Sequence, residues 1–116
     1  MNIKYYFKNT KITSEEQEYI EKKIGSIKKL IDKIIKIEVE VGKDKRGMVR
    51  VEVMITVPKN KFRAEEITKS VEESVDIVID ELKTQIKRKK EKIWTKIIRK
   101  ARSLKKKNSI NSDARF

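Results

Sequence analysis

The sequence predicts an α+β fold in which two helices pack on one face of a four-stranded sheet, in the order β-α-β-β-β-α. Three observations lead to this prediction. Apolar and polar residues alternate in two long stretches, apolar residues recur at helical spacing in two others, and a hydroxyl–carboxylate pair precedes each helical stretch. A chain of 116 residues is of the length expected for one such domain and is short for two.

The N-terminal part predicts a strand followed by a helix. Asn2 to Phe7 is rich in β-forming residues. Thr13 and Glu16 have the spacing of a capping box, in which each side chain satisfies a free backbone N–H of the other residue. Isoleucines then form one apolar stripe, at Ile20, Ile24, Ile27, Ile31 and Ile34. Lysines lie near the opposite side, at Lys22, Lys29, Lys33 and Lys36, where they complement the helix dipole and would also suit a polyanion.

Three further strands are predicted in the middle of the chain. Ile35 to Val41 and Val49 to Val57 alternate with polar residues, as an antiparallel hairpin with one buried face does. A shorter fourth strand is expected at Lys61 to Glu66, with Phe62 and Ala64 pointing inward. The opposite face of the sheet should be polar and hydrated.

A second helix is predicted from Ser70, because Ser70 and Glu73 repeat the capping-box spacing. Its apolar stripe is Val71, Val75, Val78, Ile79, Leu82 and Ile86. Lys89 and Lys90 fall on that same face, and burying unpaired ammonium groups would be strongly unfavourable. We therefore expect the chain to leave the domain body near Lys87.

These patterns divide the chain into a folded α+β domain, residues 1–92, and a basic amphipathic C-terminal extension, residues 93–116, partly helical or disordered. In the extension a narrow apolar stripe restarts at Ile93, Ile97, Ala101 and Leu104, and Trp94 and Ile98 lie beside it. Such an extension suits an RNA groove, an acidic membrane or a protein partner. Asn108 to Phe116 is polar and is expected to fray.

Positive charge is concentrated at the C-terminal end. The formal net charge is +13, and residues 83–116 contain 14 basic and two acidic residues, against 17 and 16 in residues 1–82. Cations concentrated in this way usually bind a polyanion such as RNA, because neutralised phosphates release their condensed counterions. A solvated basic tail is the alternative interpretation.

The composition excludes several classes of function. The chain has no His and no Cys, which excludes a histidine relay, a thiol nucleophile, a Cys/His zinc site and a disulfide framework. Nucleotide, metalloprotease and calcium motifs are absent, and adjacent acidic residues point to different faces, so we expect neither an enzyme nor a cofactor or metal. No apolar run approaches the roughly 20 residues of a membrane span. A cytoplasmic protein without a membrane partner is therefore expected.

One segment of the second helix is specific enough to resemble a known family. Val75 to Leu82, followed by Gln85, Ile86 and Lys89, resembles the corresponding helix of the ribosome hibernation promoting factors and ribosome-associated inhibitors. The N-terminal part is similar as well, at Met1 to Ile3, Lys11 to Thr13 and Tyr19 to Ile24. The resemblance covers residues 1–92.

The resemblance implies a fold similar to that of double-stranded-RNA-binding domains and a partner in the small ribosomal subunit with its ribosomal RNA. Members of the family occupy the channel for messenger and transfer RNA at the decoding centre and block translation in stationary or stressed cells. They bind ribosomal RNA through basic residues on the two helices. The positions here that match this role are Lys22, Lys23, Lys28, Lys29, Lys83, Lys87, Arg88 and Lys90.

Longer members of the family carry a second, C-terminal domain through which two ribosomes are paired. Residues 93–116 resemble the basic start of the linker in those forms. The resemblance leaves open whether this chain is a natural short form or part of a long form, and therefore whether a second domain or ribosome dimerisation belongs to its function.

Two other functions remain open. A general binder of structured RNA would share the cationic helix faces without a preference for ribosomes. A membrane-surface or protein-docking module would use residues 93–104, with Trp94 as its anchor.

Overall fold

The structure is a computed structural model that describes residues 2–111, with the side chains of residues 2–102. Its elements are β1 (Ile3–Lys8), α1 (Ser14–Lys28), β2 (Lys36–Lys43), β3 (Val49–Val57), β4 (Asn60–Thr68) and α2 (Val71–Asn111). The predicted α+β class and element order are confirmed. The predicted stripe position Leu104 lies outside the described side chains, and residues 112–116 of the predicted polar tail lie outside the described backbone.

The four strands lie in the order β1-β2-β3-β4. β1 pairs with β2 in parallel because α1 carries the chain back across the sheet between them, whereas the two later pairs are antiparallel hairpins. Val39, Val53 and Ala64 are partners across β2, β3 and β4 and are buried. The neighbouring row of Glu40 and Glu52 continues to Glu65 on the open face.

Helix α1 begins as predicted and ends earlier. The Thr13 hydroxyl accepts the Glu16 N–H at 3.1 Å, and the Glu16 carboxylate accepts the Thr13 N–H at 2.9 Å, which completes the capping box. The helix ends at Lys28, where the Leu30 N–H donates to the Ile27 carbonyl at 2.8 Å and closes the last turn.

The prediction that the helical stripe continues to Ile34 is therefore wrong. Ile31 and Ile34 do pack against the core, but they do so from the segment between α1 and β2. Lys33 lies in that segment and Lys36 starts β2, so neither belongs to the cationic face of α1. The spacing of apolar residues does not show where α1 ends, because an apolar residue can reach the core from a loop as well as from a helix.

Strand β4 is longer than predicted. It runs Asn60–Thr68, with Phe62 and Ala64 buried as expected. The alternation of inward apolar and outward polar residues breaks at Ile67, an apolar residue that lies on the open face of the strand and is 50% exposed. The short turn before the strand is made possible by Lys59, whose φ of 67° lies in the left-handed region.

Helix α2 has half of the predicted capping box. The Ser70 hydroxyl accepts the Glu73 N–H at 3.2 Å, but the Ser70 N–H donates to the Thr68 hydroxyl and not to the Glu73 carboxylate. The buried Ser74 hydroxyl donates to the Val49 carbonyl at 3.1 Å and thereby ties the start of α2 to β3. All six residues of the predicted stripe are buried, from Val71 to Ile86.

The chain forms two compact units, the first ending at Ile86 and the second beginning at Lys87. The hydrophobic core belongs to the first unit and combines the stripes of α1 and α2 with the inner face of the sheet. The second unit consists of the remaining turns of α2 in the described residues. Within residues 2–111, no helix combines the length and the apolar character that crossing a membrane requires.

Candidate nucleic-acid interface

Three of the predicted RNA-contacting lysines lie on α1 and its C-terminal cap. Lys22, Lys28 and Lys29 are exposed, and none has a carboxylate oxygen within 4.0 Å of its ammonium nitrogen among the described side chains. Lys28 and Lys29 stand at the end of the helix, where cations complement the partial negative charge of the dipole. A phosphate approaching this end would meet two ammonium groups that no described carboxylate engages.

Lys23, the fourth predicted position on α1, is differently placed. Its ammonium nitrogen lies 3.3 Å from Asp76 Oδ1 on α2 and 5.6 Å from the centre of the Tyr19 ring. The Tyr19 hydroxyl donates to the same Asp76 oxygen at 2.5 Å. The resulting Tyr19–Lys23–Asp76 cluster joins the two helices through three partly exposed side chains. Lys23 therefore offers less free charge to a phosphate than its neighbours do.

Sequence analysis missed this cluster. Tyr19 and Lys23 are four residues apart on α1, a spacing that puts two side chains on one helix face, and Asp76 belongs to the segment of α2 that resembles the family. The pairing of that face with Asp76 requires the packing of α1 beside α2, which the sequence does not specify.

The cluster shifts the protonation equilibria of its members. The hydrogen bond from Tyr19, followed by that from Lys23, lowers the pKa of Asp76 below its ordinary value. The same hydrogen bond to Asp76 raises the pKa of Tyr19, and contact with Asp76 raises the pKa of Lys23. At neutral pH these shifts favour an ionised Asp76 carboxylate, an ionised Lys23 ammonium group and a neutral Tyr19 hydroxyl.

We predict that Asp76→Asn destabilises the protein slightly and in a pH-dependent way. Because the folded pKa of Asp76 is depressed, its stabilisation is present above the unfolded pKa and is lost as pH falls through the folded pKa. The expected loss at pH 7 is only about 0.5 kcal/mol, since the half-exposed carboxylate is screened by water. Urea unfolding of both proteins from pH 7 down to pH 2 should show the difference shrinking below about pH 4. A difference that stays constant across this range would contradict the assignment.

The other predicted positions lie on α2. Lys83 follows the buried Leu82 in the first compact unit and is partly exposed. Lys87, Arg88 and Lys90 are exposed and lie in the second unit. Four of the predicted cations thus lie on α1 and its cap, and the other four lie along α2.

The centre of the open sheet face is acidic, and its cations are engaged. Arg50 contacts Glu40 at 3.3 Å, Glu52 at 3.4 Å and Glu65 at 2.5 Å. Arg63 also pairs with Glu52. The guanidinium of Arg50 holds the pKa of Glu65 below its usual range. Phosphates would meet carboxylates here, so this part of the sheet is poorly suited to RNA.

Residues 3–94 match the family model described as sigma 54 modulation protein / S30EA ribosomal protein. The match covers most of the chain. The chain belongs to the S30EA ribosomal protein family. The resemblance to the ribosome hibernation factors, inferred above from the second helix, is confirmed. Members of this family are ribosome-associated and in general non-enzymatic.

Two solved structures similar to this S30EA-family protein share its fold. The N-terminal domain of Thermus thermophilus Protein Y is 29% identical, with a TM-score of 0.68, and the match covers 76% of this chain and 98% of that domain. A ribosomal subunit interface protein from Coxiella burnetii is 23% identical, with a TM-score of 0.72, and the match covers 78% of this chain and 99% of that protein. The second likeness bears on the fold alone.

Proposed function

We propose that this protein is a non-enzymatic, cytoplasmic ribosome hibernation factor. In this proposal residues 1–92 form a domain that binds the small ribosomal subunit in the channel for messenger and transfer RNA and blocks translation under stress or in stationary phase. Residues 93–116 form a basic extension of that domain. The observation that carries the proposal is the family match over residues 3–94.

The charge distribution of the first compact unit supports RNA binding by the helices. Lys22, Lys28 and Lys29 on α1 and its cap are free of acidic partners among the described side chains, whereas Arg50 and Arg63 on the sheet are paired with carboxylates. Flexible ammonium groups bind phosphates without reading bases, so the shape of the folded RNA would determine the position. Inhibition would then be steric, because a bound domain excludes the tRNA and mRNA.

Cosedimentation with purified ribosomal subunits tests this proposal. We expect the protein to pellet with small subunits and much less with large ones. We also expect it not to bind small subunits to which tRNA and mRNA have been bound first. A large excess of unrelated duplex RNA serves as the control, and it should leave most of the complex intact. Equal binding to both subunits, or full displacement by the duplex RNA, would instead support a general binder of structured RNA.

A further inference from the structure

The described part of the second compact unit, residues 87–102, is a strongly cationic helical segment. It contains nine basic residues and one acidic residue, Glu91. Every residue in it is exposed except Ile98, which is partly buried. We call residues 87–102 the basic helical segment.

No carboxylate among the described side chains neutralises the charges of the basic helical segment. Among the described side chains, none of its nine cations lies within 4.0 Å of a carboxylate oxygen, in contrast to Lys23, Arg50 and Arg63 in the first unit. Nine like charges within 16 residues repel one another and hold counterions near the helix. A polyanion would relieve this repulsion and release those ions.

The arrangement of the cations favours RNA over a flat anionic surface. At 100° per residue, Lys87, Arg88, Lys89, Lys90 and Lys92 point in nearly all directions around the helix. Phosphates on both walls of an RNA groove can contact cations on opposite sides of a helix. A membrane surface contacts one side only, and it would place Lys90 on the apolar side.

Beyond Lys92 the segment becomes two-sided. Lys96, Arg99, Lys100 and Arg102 fall on one side, while Trp94 falls on another. The Trp94 side chain is 63% exposed, an unusual exposure for an indole ring. Lys90 precedes Trp94 by four residues and lies on the same side of the helix, so the ring has a cation beside it. Exposed aromatic rings beside cations are the platforms on which unpaired bases stack, with the phosphates held alongside.

We propose that the basic helical segment binds in a groove of structured RNA, with Lys92, Lys96, Arg99 and Lys100 contacting phosphates on one side of the helix and Trp94, beside Lys90 on the opposite side, stacking on an unpaired base. The proposal extends the proposed function, on which it rests for the identity of the RNA as ribosomal. It adds Trp94 and the four phosphate-contacting cations to the RNA contacts already proposed for Lys87, Arg88 and Lys90 on the same helix.

Two matched variants of the full chain test the phosphate contacts. The first changes Lys92, Lys96, Arg99 and Lys100 to Gln, which keeps helix propensity. The control changes four exposed lysines of the first unit to Gln, namely Lys11, Lys45, Lys61 and Lys69, and so removes the same charge. Binding to a fluorescein-labelled RNA stem-loop with an unpaired loop is measured across a range of salt concentrations. We expect the slope of log K against log salt to fall by about 3 in the first variant and by less than about 1 in the control.

A third variant keeps the result interpretable. Lys92→Arg, Lys96→Arg and Lys100→Arg together retain the charge and should retain the slope of the parent protein. Circular dichroism of all variants checks that the helix content is unchanged. An unchanged slope in the glutamine variant, or an equal fall in the control, would overturn the proposal.

Trp94 is the only tryptophan in the chain and therefore reports its own contacts. We expect the stem-loop to quench the Trp94 emission and a fully paired duplex to quench it much less. Vesicles of phosphatidylglycerol and phosphatidylcholine should leave the emission unchanged. A shift of the emission to shorter wavelength with vesicles, and no quenching with the stem-loop, would overturn the proposal in favour of a membrane surface.

The same protein preparations separate this inference from the proposed function. If the parent protein cosediments with small subunits, but the glutamine variant keeps the parent's salt slope and the stem-loop does not quench Trp94, then residues 92–100 do not contact RNA and the proposed function stands on the other positions. If the glutamine variant loses slope and the stem-loop quenches Trp94, but the parent protein has no preference for small subunits, then the proposed function fails and residues 92–100 remain RNA-binding.

Discussion

Replacing Leu82 with aspartate is expected to unfold the first compact unit. Leu82 has no exposed surface and lies in the core that α2 shares with α1 and the sheet. The substitution removes the buried apolar side chain and puts a carboxyl group without a hydrogen-bond partner in its place. The combined loss should exceed about 4 kcal/mol, a large part of the total stability of a small domain. Val78→Asp should act in the same way, since Val78 is 1% exposed.

Ile77→Asp is the matched control for this prediction. Ile77 lies one residue from Val78 on the same helix but is 46% exposed. The control introduces the same carboxylate into the same helix and should cost less than about 1 kcal/mol. Thermal and urea unfolding followed by circular dichroism measure both variants. Comparable losses in Ile77→Asp and Leu82→Asp would mean that the faces of α2 are wrongly assigned.

The second large effect is expected on binding and not on folding. Lys87→Glu combined with Arg88→Glu removes two exposed cations from α2 and adds two negative charges. Each phosphate contact contributes close to a factor of ten at about 0.1 M salt, so the affinity for small subunits should fall by about 100-fold or more. The free energy of unfolding should change by less than about 0.5 kcal/mol, because substitutions at exposed positions usually have effects no larger than this.

Lys45→Glu with Lys61→Glu provides the control for charge alone. Both lysines are exposed in the first unit and neither belongs to the proposed interface. The two double variants have equal net charge, so a difference in affinity reports position. If the two lose affinity equally, the interaction is a general attraction between a basic protein and RNA, and the assigned positions are wrong.

The fold follows from local patterns to a large extent, and its exceptions have physical causes. Apolar and polar residues alternate in β2 and β3, and Ile20, Ile24 and Ile27 recur at helical spacing in α1. Both patterns can be read from the sequence, because they involve residues that are close along the chain. The end of α1 cannot be read in this way, because Ile31 and Ile34 remain apolar after the helix has ended. The cap of α2 differs for a related reason, since the Thr68 hydroxyl competes for the Ser70 N–H.

The candidate interface was less predictable than the fold. Sequence spacing places Lys22 and Lys29 on the solvent side of α1, and both are exposed. The family resemblance adds Lys23 to the predicted RNA contacts, although Asp76 of the neighbouring helix engages its charge. The pairing of Arg50 with Glu65 is equally non-local, because it depends on the register of β3 against β4. Charges can be counted from a sequence, whereas their neutralisation depends on tertiary contacts.

Chemical footprinting of small-subunit RNA in the cosedimented complex tests the central claim most directly. The cations of the helices are proposed to hold the domain in the channel for messenger and transfer RNA. The parent protein should therefore protect nucleotides that line the channel near the decoding centre, and Lys87→Glu with Arg88→Glu should lose that protection at equal protein concentration. Protection confined to the outer surface of the subunit, or none above that given by an unrelated basic protein, would contradict the account.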